Sequence, residues 1–333
     1  MERAIVHSDL TKKEIQPQLL LEKYHSHLDL DIKRLLPAES LKEVTCPITS
    51  EETVRDNFKK MEMKYHISQT LGNIYLSPRP SMEKLIRFYY ESTARKFWLT
   101  ELWSQTYEAR QDKIILPQLE WAEGFISQYS AKKEMLFAEY LPNHWGYFSS
   151  AKKFFKESNY TLVEPFFDPD LSSINVNNLD SMDKVLDETL DSVFLFEALD
   201  RSVDPLGLLR KSFNSLKKGG LCFITSLLSS GFEVQLLGEK SEIFVPPERM
   251  NILSYEGMNA LIDKLNGFDI LEFSTPGVLD IPNVVSRIAD LKNSAFFKYI
   301  FNERQDPEIL NSFQDYLQMS RLGTFARLVL RKQ

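Results

Sequence analysis

An alternation of apolar runs and amphipathic segments between Asp191 and Asp280 constrains the fold of this chain more than any other feature. The continuous apolar run Val193–Phe196 predicts a buried strand. A segment with apolar residues at helical spacing follows and stops at Gly219-Gly220, directly before a second apolar run, Leu221–Thr225. A further helical segment precedes a third strand, which opens at Gly267. Strands that alternate with helices predict an open α/β sheet.

Two carboxylates, Glu197 and Asp200, follow the first of these strands at once. Open α/β sheets bind their ligands in the crevice at the carboxyl ends of the strands. We therefore expect a ligand site near Glu197 and Asp200.

The same stretch resembles a known family. Its more specific marks are the turn Thr275-Pro276-Gly277-x-Leu279-Asp280 and the run Pro-Pro-x-x-x-Asn-x-x-Ser from Pro246 to Ser254. With these marks, residues 115 to 333 resemble the class I S-adenosylmethionine-dependent methyltransferases. More narrowly, they are similar to methyltransferase-like proteins encoded with bacterial surface-sugar biosynthesis genes. The resemblance implies a Rossmann-like sheet, mostly parallel with an antiparallel last strand. It also implies S-adenosylmethionine as the cofactor and a sugar or sugar-nucleotide as the acceptor.

The pattern predicts two regions. Residues 1–115 form a mainly helical N-terminal region, and residues 116–333 form the methyltransferase-like domain. A net charge of -7 argues against a protein that binds nucleic-acid backbones, because such proteins usually carry a basic face. No stretch has the apolar length of a membrane span, and the N-terminus lacks the apolar core of a signal peptide. Together with only two cysteines, this predicts a cytoplasmic protein.

A short segment of the N-terminal region, Cys46-Pro47-Ile48-Thr49, resembles the first half of a zinc ribbon. Thr49 stands where the second cysteine ligand is expected, and no other cysteine lies nearby. Even with His66 recruited, two ligands are fewer than the four of a structural zinc site. We predict no zinc.

The segment Tyr75–Ser81 predicts an extended entry into a helix, with Ser81 as its N-cap. The aromatic residues that follow have two interpretations. They form a lid over the acceptor site, or they pack the helix against the sheet domain. The lid would consist of Tyr89, Tyr90, Lys96 and Trp98.

The cofactor loop of the family has its counterpart at residues 135–148. The resemblance implies that Glu139 ends the first strand as the acidic residue, that His144 lies in the turn, and that Gly146 is the turn's last glycine. The earlier glycines of the family are absent, and larger residues such as Leu141 and Trp145 stand where small ones are expected. Side chains there occupy ligand volume, so the sequence puts cofactor binding in question.

Further cofactor contacts follow from the resemblance. Glu164 ends the second strand, where a carboxylate accepts hydrogen bonds from both ribose hydroxyls. Asn178 lies near the expected adenine position, and Glu197 follows the fourth strand. A surface glutamate at a strand end remains the alternative interpretation of Glu164.

The expected catalytic groups are altered. Where related proteins carry histidines, this chain has Arg201, Arg249 and, near the C-terminus, Gly323-Thr324-Phe325. Arginine is not a base near neutral pH, but it binds carboxylates and phosphates with a planar fork. One interpretation is a site changed to hold an anionic sugar or nucleotide, with Glu197 or Asp200 as the base and Asn251 facing the acceptor. The other is a protein that no longer catalyses.

Three hypotheses remain open at this stage. The first is a methyltransferase acting on a sugar or sugar-nucleotide of bacterial surface-glycan metabolism. The second is a catalytically inactive relative that serves as a scaffold or regulatory partner of another protein. The third is a different ligand in the same crevice, stacked on Trp145.

Overall fold

The structure is a computed structural model that describes residues 5–167, 176–291 and 294–333. Its helices are α1 (Lys12–Ile15), α2 (Gln18–Leu35), α3 (Met82–Glu91), α4 (Thr93–Phe97), α5 (Ser104–Arg110), α6 (Leu116–Tyr129), α7 (Gly146–Ala151), α8 (Ala198–Arg201), α9 (Pro205–Ser215), α10 (Phe232–Leu237), α11 (Tyr255–Asp263), α12 (Asp280–Val285), α13 (Ala295–Lys298) and α14 (Pro307–Met319). Its strands are β1 (Val54–Lys60), β2 (Met63–Ser68), β3 (Ile74–Leu76), β4 (Leu136–Tyr140), β5 (Asn159–Val163), β6 (Val176–Leu179), β7 (Leu190–Phe196), β8 (Leu216–Leu227), β9 (Asn251–Ile252), β10 (Phe268–Ser274) and β11 (Phe325–Lys332).

The larger sheet has seven strands in the order β10-β11-β8-β7-β4-β5-β6. Strands β4 to β8 pair in parallel, whereas β11 is antiparallel to both of its neighbours. This is the Rossmann-like sheet with an antiparallel last strand that the sequence predicts, so the fold class is confirmed. Every residue of the central strand β7 is buried, as a continuous apolar run requires in a parallel sheet.

The strand after the glycine pair begins earlier than the sequence indicates. Helix α9 ends at Ser215, and β8 starts at Leu216, so Gly219 and Gly220 lie inside the strand. Gly219 has a φ of +79°, and the pairing with β7 shifts register between Leu190 and Ser192. The glycines therefore accommodate a bulge at the start of β8 rather than the end of the helix.

A second, antiparallel sheet has the order β1-β2-β3-β9. Three of its strands lie in the N-terminal region, where the sequence pattern indicates mainly helix. The fourth, β9, comes from the methyltransferase-like part and pairs with β3 through Ile74 and Ile252. One buried apolar cluster contains residues from both sheets, among them Tyr65, Ile252 and Leu328.

Helices α4, α5 and α6 follow one another through the π turns Trp98–Trp103 and Gln111–Ile115. Residue 115, the predicted boundary, lies inside this helical stretch. Trp103, Arg110, Gln118 and Trp121 fall on one face of it because their spacings are close to multiples of 3.6 residues. Trp121 on that face packs against Phe223 of β8, and the other three residues line the cavity described below.

The predicted entry into α3 is confirmed, because the Ser81 side chain accepts a bond from Lys84 N. The aromatic residues after it divide between the two interpretations. Tyr89 is buried and stacks on Phe166 with ring centroids 4.2 Å apart. Trp98, by contrast, lines a cavity.

Among the described residues, no group of three or more His, Cys, Asp or Glu side chains is arranged to hold a metal ion. Cys46 is buried, and its Sγ lies 3.7 Å from Asn73 Nδ2. Within the same ranges, no helix is both long and apolar enough to cross a membrane.

Candidate functional site

The carboxyl edge of the parallel sheet is marked by an unusual backbone conformation. Leu141, Glu164 and Glu197 directly follow β4, β5 and β7, and each has a φ between +50° and +53°. This left-handed region is uncommon for residues other than glycine, and such strain concentrates at functional sites. It turns the chain sharply at the end of three parallel strands and fixes where the following side chains lie.

Arg249 joins two of the candidate catalytic carboxylates. Its Nη2 lies 2.8 Å from Glu197 Oε2, and its Nη1 lies 2.9 Å from Asp200 Oδ2. Burial favours the neutral form of Glu197, but Arg249 and then Arg201 outweigh it, so the pKa of Glu197 is lowered. Burial raises the pKa of Asp200 to about 6 despite Arg249. Glu197 is therefore a weak base, held ionised by its arginine.

The other two candidate catalytic residues make backbone contacts. Asn251 Nδ2 donates to the carbonyl oxygens of Leu199 and Ser202, at 2.9 and 2.7 Å, and so ties β9 to the turn around α8. Arg201 Nη1 donates to the carbonyl oxygens of Leu141 at 3.2 Å and Phe196 at 3.0 Å. The Arg201 guanidinium thus bridges the carboxyl ends of the adjacent strands β4 and β7.

The turn after β4 is closed by protein contacts. His144 Nδ1 accepts the N–H of Gly146 at 3.1 Å, and the His144 ring stacks on Trp103 with centroids 4.0 Å apart. A β-carbon on Gly146 would overlap Ile115 Cδ1 and lie 3.1 Å from Trp103 Cζ2. Gly146 is therefore required for helix packing, and its N–H has an acceptor within the turn.

His144 is held neutral. Burial lowers its pKa well below the usual value, and Arg201, Arg95 and Arg110 lower it further. The turn that follows β4 is consequently surrounded by three arginines.

The remaining cofactor candidates lie apart from one another. Burial raises the pKa of Glu139 to about 8, even though Tyr160 Oη donates to it at 2.9 Å. Glu164 is half-buried and accepts the N–H of Met182 at 2.9 Å. Asn178 is exposed on the edge strand β6. Of these residues, Glu164 has the position that the resemblance gives to the ribose-binding acid.

The residues of the turn do not fit the methionine part of S-adenosylmethionine. The family brings that part close to the turn after the first strand, by means of glycines. Here the N–H of Gly146 is capped by His144, and Trp103 and Ile115 fill the space against the glycine. Arg201 occupies the gap between the ends of β4 and β7. A sulfonium cation at this place would also face the three arginines around His144.

A cavity of about 640 Å³ lies beside this turn, at the ends of β7 and β8. Its inner wall includes Phe196 and Glu197, and its aromatic lining comes from Trp98, Trp103, His144 and Tyr147. The N-terminal segment from Val6 to Gln16 contributes the opposite wall. Among the candidate residues, the cavity brings together His144, Glu197 and Arg249. Trp145 is not part of its lining; it meets Trp103 edge to face.

Two arginines in the cavity wall, Arg110 and Arg327, are functional candidates that the sequence did not indicate. Each stacks on a tryptophan of the helical stretch, Arg110 on Trp103 and Arg327 on Trp121. One sequence signal could have indicated Arg110. Trp103, Arg110 and Trp121 are spaced by seven and eleven residues, which places them on one face of a helix.

No family model and no curated protein matches this chain. It is similar to a phospholethanolamine N-methyltransferase 2 of Haemonchus contortus, crystallised with phosphomonomethylethanolamine and S-adenosylhomocysteine. That match has 12% identity, covers 84% of this chain and 71% of that one, and has a TM-score of 0.46. The plantazolicin methyltransferase BamL, in complex with an analogue and S-adenosylhomocysteine, is 14% identical over 76% of this chain and 99% of its own, with a TM-score of 0.44. The [4+2]-cyclase SpnF is 15% identical over 64% and 80%, with a TM-score of 0.38. Likenesses this distant carry over no activity, so the function has to be inferred from the residues of this chain.

Proposed function

We propose that this chain is a methyltransferase-fold protein that binds a small polar molecule in the cavity at the ends of β7 and β8, and that it transfers no methyl group. The observation that carries the proposal is the contrast between two neighbouring spaces. Trp103, Ile115 and Arg201 take up the space directly against the turn after β4, whereas a cavity of about 640 Å³ remains open between Trp103, Ile115, Phe196 and Glu197. That volume is within the range of small-molecule sites.

The candidate bases support the absence of catalysis. Glu197 reaches the cavity, but its lowered pKa reflects a carboxylate held by Arg249, after burial has been outweighed. Asp200 is 1% exposed, and its oxygens accept bonds from Ser226 Oγ, Leu227 N and Arg249. A general base needs access to the proton it removes and a pKa near the working pH. Neither carboxylate combines the two.

The lining favours a ligand with a flat face and polar edges. The rings of Trp98, Trp103 and Tyr147 offer stacking surfaces, and polar groups between them would fix the orientation of the ligand. A sugar or sugar-nucleotide of bacterial surface-glycan metabolism, the acceptor class that the resemblance implies, matches this lining. In this proposal the protein acts as a ligand-binding scaffold or regulatory partner.

An active methyltransferase is the second candidate. It is favoured by Glu164, which keeps a half-buried carboxylate at the end of β5. Such a carboxylate is suited to hold the ribose of the cofactor.

Calorimetric titration with S-adenosylmethionine and S-adenosylhomocysteine separates the two candidates. We expect no binding heat up to millimolar concentrations. Micromolar binding that is lost in Glu164→Ala, but kept in the matched control Asp183→Ala, would overturn the proposal and establish the second candidate. Asp183 is a suitable control because its carboxylate is exposed and is an electrostatic neighbour of Glu164.

The ligand itself is sought by thermal unfolding in the presence of neutral sugars and of uridine-diphosphate sugars. A ligand that binds only the native state raises the melting temperature with its concentration. We expect the rise to be lost in Trp98→Ala and kept in Trp145→Ala, because only Trp98 lines the cavity. Equal losses in both variants, or no stabilising sugar, would contradict a sugar ligand in this cavity.

A further inference from the structure

Five carboxylates of the cavity wall each accept at least one bond from a protein donor. Glu197 has Arg249, and Glu248 has the hydroxyl of Tyr24 at 2.8 Å. The other three have lysine, arginine, amide, hydroxyl or backbone donors; they are Glu233, Glu242 and Asp280. These five carboxylates are therefore already hydrogen-bonded or ion-paired within the protein.

Arg110 and Arg327 differ from these carboxylates, because neither arginine forms an ion pair among the described residues. Arg110 uses Nε to donate to Thr106 Oγ1 at 2.9 Å and Nη2 to donate to the carbonyl oxygen of Ile15. Arg327 Nε is buried and has no hydrogen-bond partner among the described residues. Within those residues, neither guanidinium lies within ion-pair distance of a carboxylate. Glu197 acts electrostatically on Arg110, and Glu272 on Arg327, but among the described residues neither carboxylate forms an ion pair with its arginine.

The burial of these cations is unfavourable as the protein stands. Burial lowers the pKa of Arg110 to about 10 and also lowers the pKa of Arg327. A buried charge is costly unless it is paired and hydrogen-bonded. The tryptophan behind each arginine offsets part of this cost and holds the guanidinium plane in one orientation.

The two arginines also share a neighbour. Tyr147 lies in the same wall and acts electrostatically on both guanidinium groups. They therefore border one side of the cavity, along the face of the helical stretch that carries Trp103 and Trp121.

We infer that Arg110 and Arg327 form an anion subsite of the cavity, which takes a phosphate or carboxylate group of the ligand. The inference rests on the proposed function in that it concerns the same cavity. Guanidinium groups suit such anions because they donate parallel N–H bonds to two oxygens at once. Arg249 is less suited, because the Glu197 and Asp200 carboxylates already take its Nη donors. Arg201 is less suited because its Nη1 donates to two backbone carbonyls and because it does not line the cavity.

Three sugars that differ only in the group at C6 test the subsite. Glucose 6-phosphate, glucuronate and glucose are titrated calorimetrically into the full-length protein at constant ionic strength. We expect at least one of the two anions to bind about tenfold or more tightly than glucose, since charge-assisted bonds are the stronger ones. The phosphate and carboxylate arms show which anion the subsite takes.

The decisive comparison is between variants. Arg327→Gln and Arg110→Gln should lose the advantage of the anion over glucose, whereas Arg331→Gln should keep it. Arg331 is the matched control because it lies on the same face of β11 as Arg327, stacks on Tyr129 of the same helical stretch, and lies outside the cavity. Far-ultraviolet circular dichroism checks the fold of each variant. If Arg110→Gln unfolds through the loss of its bond to Ile15, Arg327→Gln still decides.

The outcomes separate this inference from the proposed function. Glucose binding as tightly as both anions, or Arg327→Gln behaving like Arg331→Gln, would refute the anion subsite and leave the cavity as a sugar site. If none of the three sugars binds, the sugar assignment of the proposed function fails. In that case inorganic phosphate, titrated into the same three variants, decides the subsite by itself, and equal or absent phosphate binding in all of them overturns it.

Discussion

Replacement of Arg249 by methionine gives a strong test of the charge cluster at the sheet edge. Arg249 binds Glu197 and Asp200 at 2.8 and 2.9 Å, and the Asp200 side chain is 1% exposed. Removal of one partner from a buried ion pair costs about 3–5 kcal/mol, because a buried charge is left unpaired. We expect Arg249→Met to lower the free energy of unfolding by this amount near pH 8.

The stability lost in Arg249→Met should depend on pH, and the pKa shifts of Glu197 and Asp200 give the direction of this dependence. The lowered pKa of Glu197 adds stability above about pH 4.5, and that stability is lost on acidification. The raised pKa of Asp200, about 6 against an ordinary 3.8, removes stability as the pH rises between these values. Without Arg249 both pKa values rise, so the variant loses more stability with rising pH than the wild type does. Toward pH 4 the two carboxylates of the variant become protonated and leave no unpaired buried charge, so the difference from the wild type should shrink.

The assay is urea unfolding followed by tryptophan fluorescence, at pH values from 4 to 8. Arg87→Met is the control, since Arg87 forms an exposed pair with Glu91 that contributes less than about 1 kcal/mol. A difference between Arg249→Met and wild type that is the same at every pH would refute the assignment of charged partners. So would a difference below about 1 kcal/mol at pH 8.

Three further changes test the packing around the turn after β4. The stability of Glu139→Gln should rise relative to that of the wild type by about 1.4 kcal/mol per pH unit between pH 5 and 8, and the difference should be constant above pH 8. The reason is that burial raises the pKa of Glu139 to about 8. A difference in melting temperature between the two proteins that does not change with pH would contradict this. Gly146→Ala should cost about 1–3 kcal/mol through overlap with Ile115, and Ile115→Val should recover most of it in the double variant, as urea unfolding will show. Arg95→Met should raise the free energy of unfolding by about 1–3 kcal/mol. Arg95 is 1% exposed, and none of its guanidinium nitrogens has a hydrogen-bond partner among the described residues. A loss of stability in this variant would show that Arg95 has a partner in solution.

The sheet could be predicted because its signals are local. Strand β7 contains the continuous apolar run Val193–Phe196, and Ser81 precedes α3 as an N-cap of ordinary type. The small sheet could not be predicted in the same way. Strand β1 is mostly exposed and polar, and β3 finds its partner β9 about 175 residues further along the chain. Such pairing depends on long-range packing, which propensity does not record.

The candidate site was harder to predict than either sheet, because the ligand that it can bind depends on which of its charged side chains are already paired. Arg201 and Arg249 attract attention in the sequence, since they replace expected histidines, yet Arg249 is bound to two carboxylates and Arg201 Nη1 donates to two backbone carbonyls. Arg110 and Arg327 resemble ordinary surface residues of a helix and a strand. They become part of a cavity wall only after the N-terminal segment has folded over them, through the bond from Arg110 to Ile15 and the pair of bonds between Val6 and Gln318.

One electrostatic feature supports both the proposed absence of methyl transfer and the proposed anion subsite. Arg95, Arg110 and Arg201 lie close enough to His144 to lower its pKa, after burial itself, so three cations lie around the turn after β4. Such surroundings disfavour the sulfonium of S-adenosylmethionine and favour a phosphate or carboxylate. The two consequences are nevertheless separable. Removal of the positive charge at Arg110 should weaken anion binding without creating cofactor binding, because His144 still caps Gly146 and Trp103 still packs against it.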